Sequence, residues 1–253
     1  MHIEQYKPVA LLLPFIRSIM IIESEHALQN EVLPDTSLVM AFCLKGSVAA
    51  SDYGTLPSAV IAGLRKTSRS LSYASHTANL LVVFREDGAA AFFKAPLHEL
   101  FGASAALDNF IDKQILNDIS EQLAEATDHA NAVHRIQEFL LTLWKQSAPD
   151  LLVHTAIGQI RELNGNVRIK ALLSHLHISQ DAFEKRFRRI TGATPKQFAA
   201  IVRLRSLIAR SNDATLTETA YDAGYFDQAH FIKDFKAFTG KTPGEFYRSG
   251  NFW

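Results

Sequence analysis

The sequence repeats itself. The segment Ser179-Gln-Asp-Ala-Phe-Glu-Lys-Arg-Phe-Arg-Arg-Ile-Thr-Gly-Ala-Thr-Pro-Lys-Gln-Phe198 can be laid over Asp227-Gln-Ala-His-Phe-Ile-Lys-Asp-Phe-Lys-Ala-Phe-Thr-Gly-Lys-Thr-Pro-Gly-Glu-Phe246 at a constant offset of 48, with nine identities in twenty positions. The identities are Gln180/Gln228, Phe183/Phe231, Lys185/Lys233, Phe187/Phe235, Thr191/Thr239, Gly192/Gly240, Thr194/Thr242, Pro195/Pro243 and Phe198/Phe246. Upstream, Ile169, Leu172, Leu173 and Leu176 fall over Leu216, Thr219, Ala220 and Ala223 at an offset of 47, so the second copy has one extra residue in its turn. The chain holds two copies of one supersecondary unit.

Each copy reads as a short apolar helix, a turn and a second helix. The Phe pair of that second helix, Phe183/Phe187 or Phe231/Phe235, is spaced i, i+4 and so buries one stripe. Ser179 and Asp227 stand where an N-cap belongs, Gly192 and Gly240 end the helices, and Thr-Pro opens the next one. Two short helices on a tight turn make a helix-turn-helix, whose second helix lies in the DNA major groove. The units are expected over about 166–194 and 214–242. Opposite the Phe stripe, the first copy offers Gln180, Asp181, Glu184, Lys185 and Arg188, and the second Gln228, Ala229, Ile232, Lys233 and Lys236. Lys can donate to guanine, Gln can pair with adenine, Asp or Glu can accept from cytosine, and Ile or Ala can touch a thymine methyl. Arg189 is expected to contact the phosphate backbone. Phe198, Ile201, Val202, Leu204, Leu207 and Ile208 follow helical spacing, so Pro195–Arg210 reads as one long helix. It would set the two reading helices on successive major-groove faces, ~34 Å apart.

The zero net charge conceals a polarity along the chain. Residues 1–149 hold 11 Lys/Arg against 16 Asp/Glu, and residues 150–253 hold 15 against 10. The excess is concentrated in residues 166–211, with 10 basic against 2 acidic, whereas residues 212–253 carry 4 against 6. Such asymmetry suggests an anionic partner, nucleic acid before membrane. The first unit should therefore supply most of the sequence-independent affinity. No apolar run approaches the ~18 residues needed to span a bilayer, and Pro14 and Arg17 interrupt the most hydrophobic early stretch. With Cys43 the single cysteine, neither a disulfide framework nor a multi-cysteine metal site can form, and a cytoplasmic protein is expected.

Other chemistry finds little support. Gly240-Lys241-Thr242 lacks the earlier glycine of a phosphate loop, Phe235 standing there. His175-Leu176-His177 lies within the first unit with no carboxylate at short spacing, so no metal and no cofactor are expected. There is no Gly-x-Ser-x-Gly elbow and no nucleophile context for Cys43, hence no enzyme. Glu23, Glu25 and His26 read as an exposed loop or edge strand. Arg65, Lys66 and Arg69 read as a solvated loop in preference to an anion site.

The first 85 residues contain the short apolar runs Ser18–Ile22, Ser37–Leu44, Ala59–Ala62 and Asn79–Phe84 between turn residues, which predicts a small, β-rich, cupin-like domain. Helices are predicted from about Asp87. Ile115, Ile119 and Leu123 repeat every four residues, then Val133, Ile136, Leu140, Leu143 and Trp144 form one apolar face closed by Pro149. A further helix, Leu151–Leu163, stops at Asn164-Gly165. The fold class expected is α+β, divided into a sensor or oligomerisation domain (1–148) and an all-α reading domain (149–253).

Residues from about 155 to 250 resemble the DNA-binding domain of the AraC/XylS family of bacterial transcriptional regulators. Leu172-Leu173-Ser174-His175-Leu176-His177-Ile178-Ser179 with Phe183 and Phe187-Arg188 carries the resemblance. So does Ala220-Tyr221-Asp222-Ala223-Gly224-Tyr225-Phe226-Asp227-Gln228-Ala229-His230-Phe231, with Phe235-Lys236, Gly240, Pro243 and Phe246-Tyr247-Arg248. The resemblance implies a seven-helix domain with two helix-turn-helix units behind a sensor or oligomerisation domain. Phe84-Arg85-Glu86-Asp87-Gly88-Ala89-Ala90-Ala91 resembles the N-terminal region of an uncharacterised AraC-type subgroup, in which Pro-Gly-Gly is usual where this chain has Glu86-Asp87-Gly88. The expected function is sequence-specific transcriptional regulation. Double-stranded DNA is the expected partner, with a small-molecule effector or a homodimer through helices 114–147 for control. The rival readings are a cupin-type small-molecule enzyme and a protein-binding helical module without DNA affinity.

Overall fold

The computed structural model describes residues 1–145, 149–173, 178–209, 225 and 227–249. Its N-terminal strands are β1 (His2–Tyr6), β2 (Ile16–Ser24), β3 (Leu28–Val32), β4 (Val39–Lys45), β5 (Val48–Ala50), β6 (Gly54–Thr55), β7 (Ala59–Ala62), β8 (Arg69–Tyr73), β9 (Thr77–Phe84) and β10 (Ser104–Ala106). They form two antiparallel sheets, ordered β1-β2-β9-β4-β7-β10 and β3-β8-β5-β6. The four runs legible in the sequence are the four central strands of the larger sheet. Such strands are covered on both faces and need apolar residues nearly throughout. On one face of β4 and β9, Met40, Phe42, Leu80, Val82 and Phe84 join the main core. On the other, Ala41, Cys43, Asn79 and Leu81 line a small cavity shared with Leu71 and Tyr73 of β8. The two sheets therefore face each other.

Glu23 lies within β2, between β1 and β9, and is neither in a loop nor on an edge strand. Its side chain reaches His129, 3.3 Å away.

Short 3-10 turns at Gly88–Ala91 and Leu97–Leu100 lead to α1 (Lys113–Ala124) and α2 (His129–Leu143). Asp112 and Asp128 cap them, accepting from the backbone N–H groups of Gln114 and Asn131. Leu116, Ile119 and Leu123 are the buried stripe of α1, whereas Ile115 is 44% exposed. Repeated steps of four drift around a 3.6-residue helix, and the i, i+3, i+7 series stays on its face. Leu140 lies inside this chain's own core, where Leu143 and Trp144 also pack. The Trp144 ring is 5.5 Å from Phe15. The helix stops at Leu143, ahead of Pro149.

The C-terminal part comprises α3 (Leu151–Glu162), α4 (Ile169–Leu173), α5 (Gln180–Thr191), α6 (Pro195–Ala209), α7 (Gln228–Thr239) and α8 (Pro243–Ser249). Behind α3 the chain turns through Asn164 and Gly165, both at positive φ. A Cβ on Gly165 would fall 2.2 Å from the Ala199 carbonyl oxygen, so only glycine lets α3 approach α6 this closely. One hydrophobic core runs through both parts of the chain.

Candidate nucleic-acid interface

The repeat is reproduced in atomic detail. α5 and α7 have the same length and start 48 residues apart. Ser179 Oγ accepts from the Ala182 N–H at 3.3 Å, and Asp227 Oδ1 from the His230 N–H at 2.7 Å. Both helices end on left-handed glycines, Gly192 (φ 81) and Gly240 (φ 77). Thr191, fully buried, donates to the Phe187 or Ala193 carbonyl and accepts from the Ala193 N–H. Thr239 repeats this with Phe235 and Lys241. Reciprocal capping boxes then open the following helices, Thr194 with Gln197 and Thr242 with Glu245.

The Phe pairs anchor each unit. Phe183, Phe187, Phe231 and Phe235 are all fully buried, and each pair is in ring contact, at 5.5 Å in α5 and 5.6 Å in α7. Burying that stripe turns the other face outward. Gln180, Asp181, Lys185 and Arg189 of α5 are exposed, and Glu184 and Arg188 half-buried. On α7, Gln228, Ala229, Lys233 and Lys236 are exposed and Ile232 is half-buried against the core. Every described part of the predicted joining helix is present as α6, with Phe198, Ile201, Leu204 and Leu207 buried. Arg203 of α6 stacks over the Tyr225 ring at 4.6 Å, and Tyr225 packs on Phe231 at 5.4 Å, which ties α6 to α7. Burial chiefly pushes the Tyr225 hydroxyl up to about 12. Ser174–His177, Arg210 and the stretch 211–224, and with them His175-Leu176-His177 and the first helix of the second unit, lie outside the described residues.

Residues 172–249 match a family described as a helix-turn-helix domain. The chain carries an AraC-type helix-turn-helix domain. It is a DNA-binding transcription regulator. Residues 4–106 match a second family, a domain of unknown function designated DUF6597. Among curated proteins none matches. A ToxT structure from Vibrio cholerae is similar at 9% identity, covering 97% of this chain and 98% of that one with a TM-score of 0.46. ToxT with bound unsaturated fatty acid gives 13% identity, 89% and 92% coverage and a TM-score of 0.43. The xylose-binding transcription activator xylR gives 21% identity over 49% of this chain and 40% of that one, with a TM-score of 0.37.

In this regulator the N-terminal part grips the C-terminal part through residues without any local motif. Glu86, 6% exposed, accepts from Arg161 Nη1 at 2.5 Å and from Thr36 Oγ1 at 3.2 Å. Asp87 meets His154 at 2.8 Å. Asp35 pairs with Arg17 at 2.5 Å and lies 3.8 Å from Arg205 of α6, which also donates to the Pro34 carbonyl. Burial opposes the Asp35 charge, but the Arg17 hydrogen bond and the Arg205 and Arg17 charges hold its carboxyl below the usual range. α5 packs on the turns at Gly88–Ala91 and Leu97–Leu100, and the Ser68 N–H donates to the Phe238 carbonyl of α7 at 2.9 Å. These partners are distant in sequence and carry no local pattern. The one available signal was the acidic balance of the N-terminal part opposite a basic C-terminal part.

Proposed function

We propose that the regulator reads DNA sequence through the outward faces of α5 and α7. Gln180, Asp181, Glu184, Lys185 and Arg188 would meet base edges from the first unit, and Gln228, Ala229, Ile232, Lys233 and Lys236 from the second. Arg189 would hold the phosphate backbone. The observation that carries this reading is the complete burial of both Phe pairs, which turns the opposite face of each helix, with exposed Gln180, Lys185, Gln228 and Lys233, away from the core. Residues 149–253 would be the reading domain and residues 1–148 the controlling one.

A mobility shift with a selected site and a scrambled duplex tests the assignment. Lys185→Ala should relax preference at one base position by ~1–3 kcal/mol, and Arg189→Ala should weaken both duplexes alike. Equal losses on both duplexes for Lys185→Ala would remove it from the base readers. Absence of salt-dependent binding by the native chain would remove the whole reading.

Control would come from the seam between the two parts. A cavity of about 460 Å³ opens there, lined by Arg17, Leu33 and Asp35 from the N-terminal side and by Arg161, Val202 and Arg205 from the other. A small-molecule effector there would touch both parts at once and shift the population able to contact DNA. A second copy of the chain would have to dock elsewhere than on Leu140, which is already buried.

A further inference from the structure

Arg65, Lys66 and Arg69 carry the composition of a solvated loop, but the structure buries part of it. Arg69 is 7% exposed. Its Nη1 donates to Ser104 Oγ at 2.7 Å, and its Nε lies 3.1 Å from Asp52 Oδ1. Arg65 converges on the same two residues, with Nη1 at 2.5 Å from Asp52 Oδ2 and Nη2 at 3.3 Å from Ser104 Oγ. Two guanidinium groups thus share one carboxylate and one hydroxyl. Each oxygen of Asp52 is committed to one arginine, and Nη2 of Arg69 is sealed from solvent with no hydrogen-bond partner. A buried guanidinium with unserved N–H groups is unfavourable unless another acceptor arrives. The local charge is also unbalanced, because Lys66 stands exposed beside the two arginines, whose one paired carboxylate among the described residues is Asp52.

We propose that this cluster binds a phosphate-sized tetrahedral oxyanion, either inorganic phosphate or the phosphate group of a small metabolite. A second carboxylate would bring two oxygens, whereas a tetrahedral anion brings enough to serve the remaining donors of both forks. The way in lies beside Asp52, whose side chain is 37% exposed. The position also gives the site a consequence. Ser68 lies between the two arginines, and its N–H holds the Phe238 carbonyl in the last turn of α7. A Cβ on Gly240, just beyond, would stand 3.3 Å from Ser68 Oγ. An anion that ties Arg65 to Arg69 therefore fixes the loop that grips the second reading helix.

The test uses the full chain without DNA, so its outcome is separate from that of the DNA-reading assignment. Thermal unfolding and titration calorimetry are run with sodium phosphate against sodium chloride at constant ionic strength, and with glycerol phosphate as a second arm. Saturable binding with a raised midpoint is expected. Tighter binding of glycerol phosphate identifies a metabolite as the source, and tighter binding of inorganic phosphate identifies the free anion. Asp52→Asn, which withdraws the competing charge, should lower Kd by about tenfold, and Arg65→Ala should abolish saturation. No saturable effect in either the native chain or folded Asp52→Asn overturns the site, as does unchanged binding by Arg65→Ala. Phosphate should also slow hydrogen exchange of the Ser68 amide; unchanged or faster exchange overturns the link to α7.

Discussion

Replacing Glu86 by alanine isolates the contact that joins the two parts of the regulator most directly. Breaking a fully buried ion pair by deleting one partner costs about 3–5 kcal/mol, because the abandoned charge stays in the interior. That limit does not apply here. Glu86 is 6% exposed, but the Arg161 side chain is 57% exposed and returns to water when its partner is lost. The surviving penalty falls on Thr36, also buried, whose hydroxyl loses its Glu86 acceptor and keeps only a long contact to Asp35 at 3.4 Å. An incompletely satisfied hydroxyl costs about 1–3 kcal/mol, and an exposed pair contributes about 0.2–1 kcal/mol. Release of the carboxylate desolvation cost offsets part of this, so Glu86→Ala should lose about 1–2 kcal/mol. Urea unfolding of Glu86→Ala, Arg161→Ala and the double variant gives the coupling directly. It should be about 0.5–1 kcal/mol in low salt and shrink as salt is added. A loss above about 4 kcal/mol, or a coupling indifferent to salt, would refute the claim that Arg161 re-solvates.

Two further outcomes follow from the same geometry. Thr191→Val and Thr239→Val keep shape but remove the acceptor of a backbone N–H in each repeat, at Ala193 and Lys241; each should cost about 1–3 kcal/mol by chemical denaturation, with Thr→Ser nearer native. Unequal costs would show that the two hubs are not equivalent. The His129 ring is opposed by burial but held charged by Glu4 and Glu23, so its pKa is raised; its contribution is complete below 6.5 and is lost as pH rises through the folded value. Glu4 is drawn down to about 2 by hydrogen bonds from Tyr6, His2 and His129, so its contribution is present above 4.5 and fades as pH falls toward about 2. The unfolding midpoint of the native chain should decline on both sides of that window, and His129→Gln should flatten the alkaline decline.

The legible parts of the fold were those whose burial pattern is local. α5 and α7 announce themselves through caps, an i, i+4 Phe stripe and a terminal glycine, all between Ser179 and Gly192 or between Asp227 and Gly240. β2, β4, β7 and β9 show as apolar runs because both of their faces are covered, one by the main core and the other by the second sheet. β3 (Leu-Gln-Asn-Glu-Val) and β8 (Arg-Ser-Leu-Ser-Tyr) are too polar to show, since they belong to a sheet with more of its surface open. Of the proposed reading faces, sequence spacing supplied the candidate residues, whereas the half-burial of Glu184, Arg188 and Ile232 depends on what packs beside them. Arg69 had the sequence signature of a surface cation and is buried because β10 and the β5–β6 hairpin close over it.

The charge polarity of the chain serves two ends, and the structure separates them. Gly88 follows the pattern of the N-terminal subgroup for a steric reason, since a Cβ there would fall 1.9 Å from the Phe15 carbonyl oxygen. The chain departs from the pattern at the two positions before it, and those are the carboxylates that reach Arg161 and His154. Their partners are seven residues apart and so lie on one face of α3. With Asp35 and Arg205, three carboxylates of the N-terminal part thus meet one side of the C-terminal part. Arg186 of α5 is engaged within the C-terminal part itself, by Asp150 at 2.6 Å. Lys185 and Arg189 sit on the same helix, exposed, and pair with none of the described residues. Arg161 and Arg205, turned toward the N-terminal part, meet carboxylates there, whereas Lys185 and Arg189 stay exposed, as the contacts to DNA proposed for them require. Added salt should therefore act on both ends, loosening the seam while it weakens the grip on DNA.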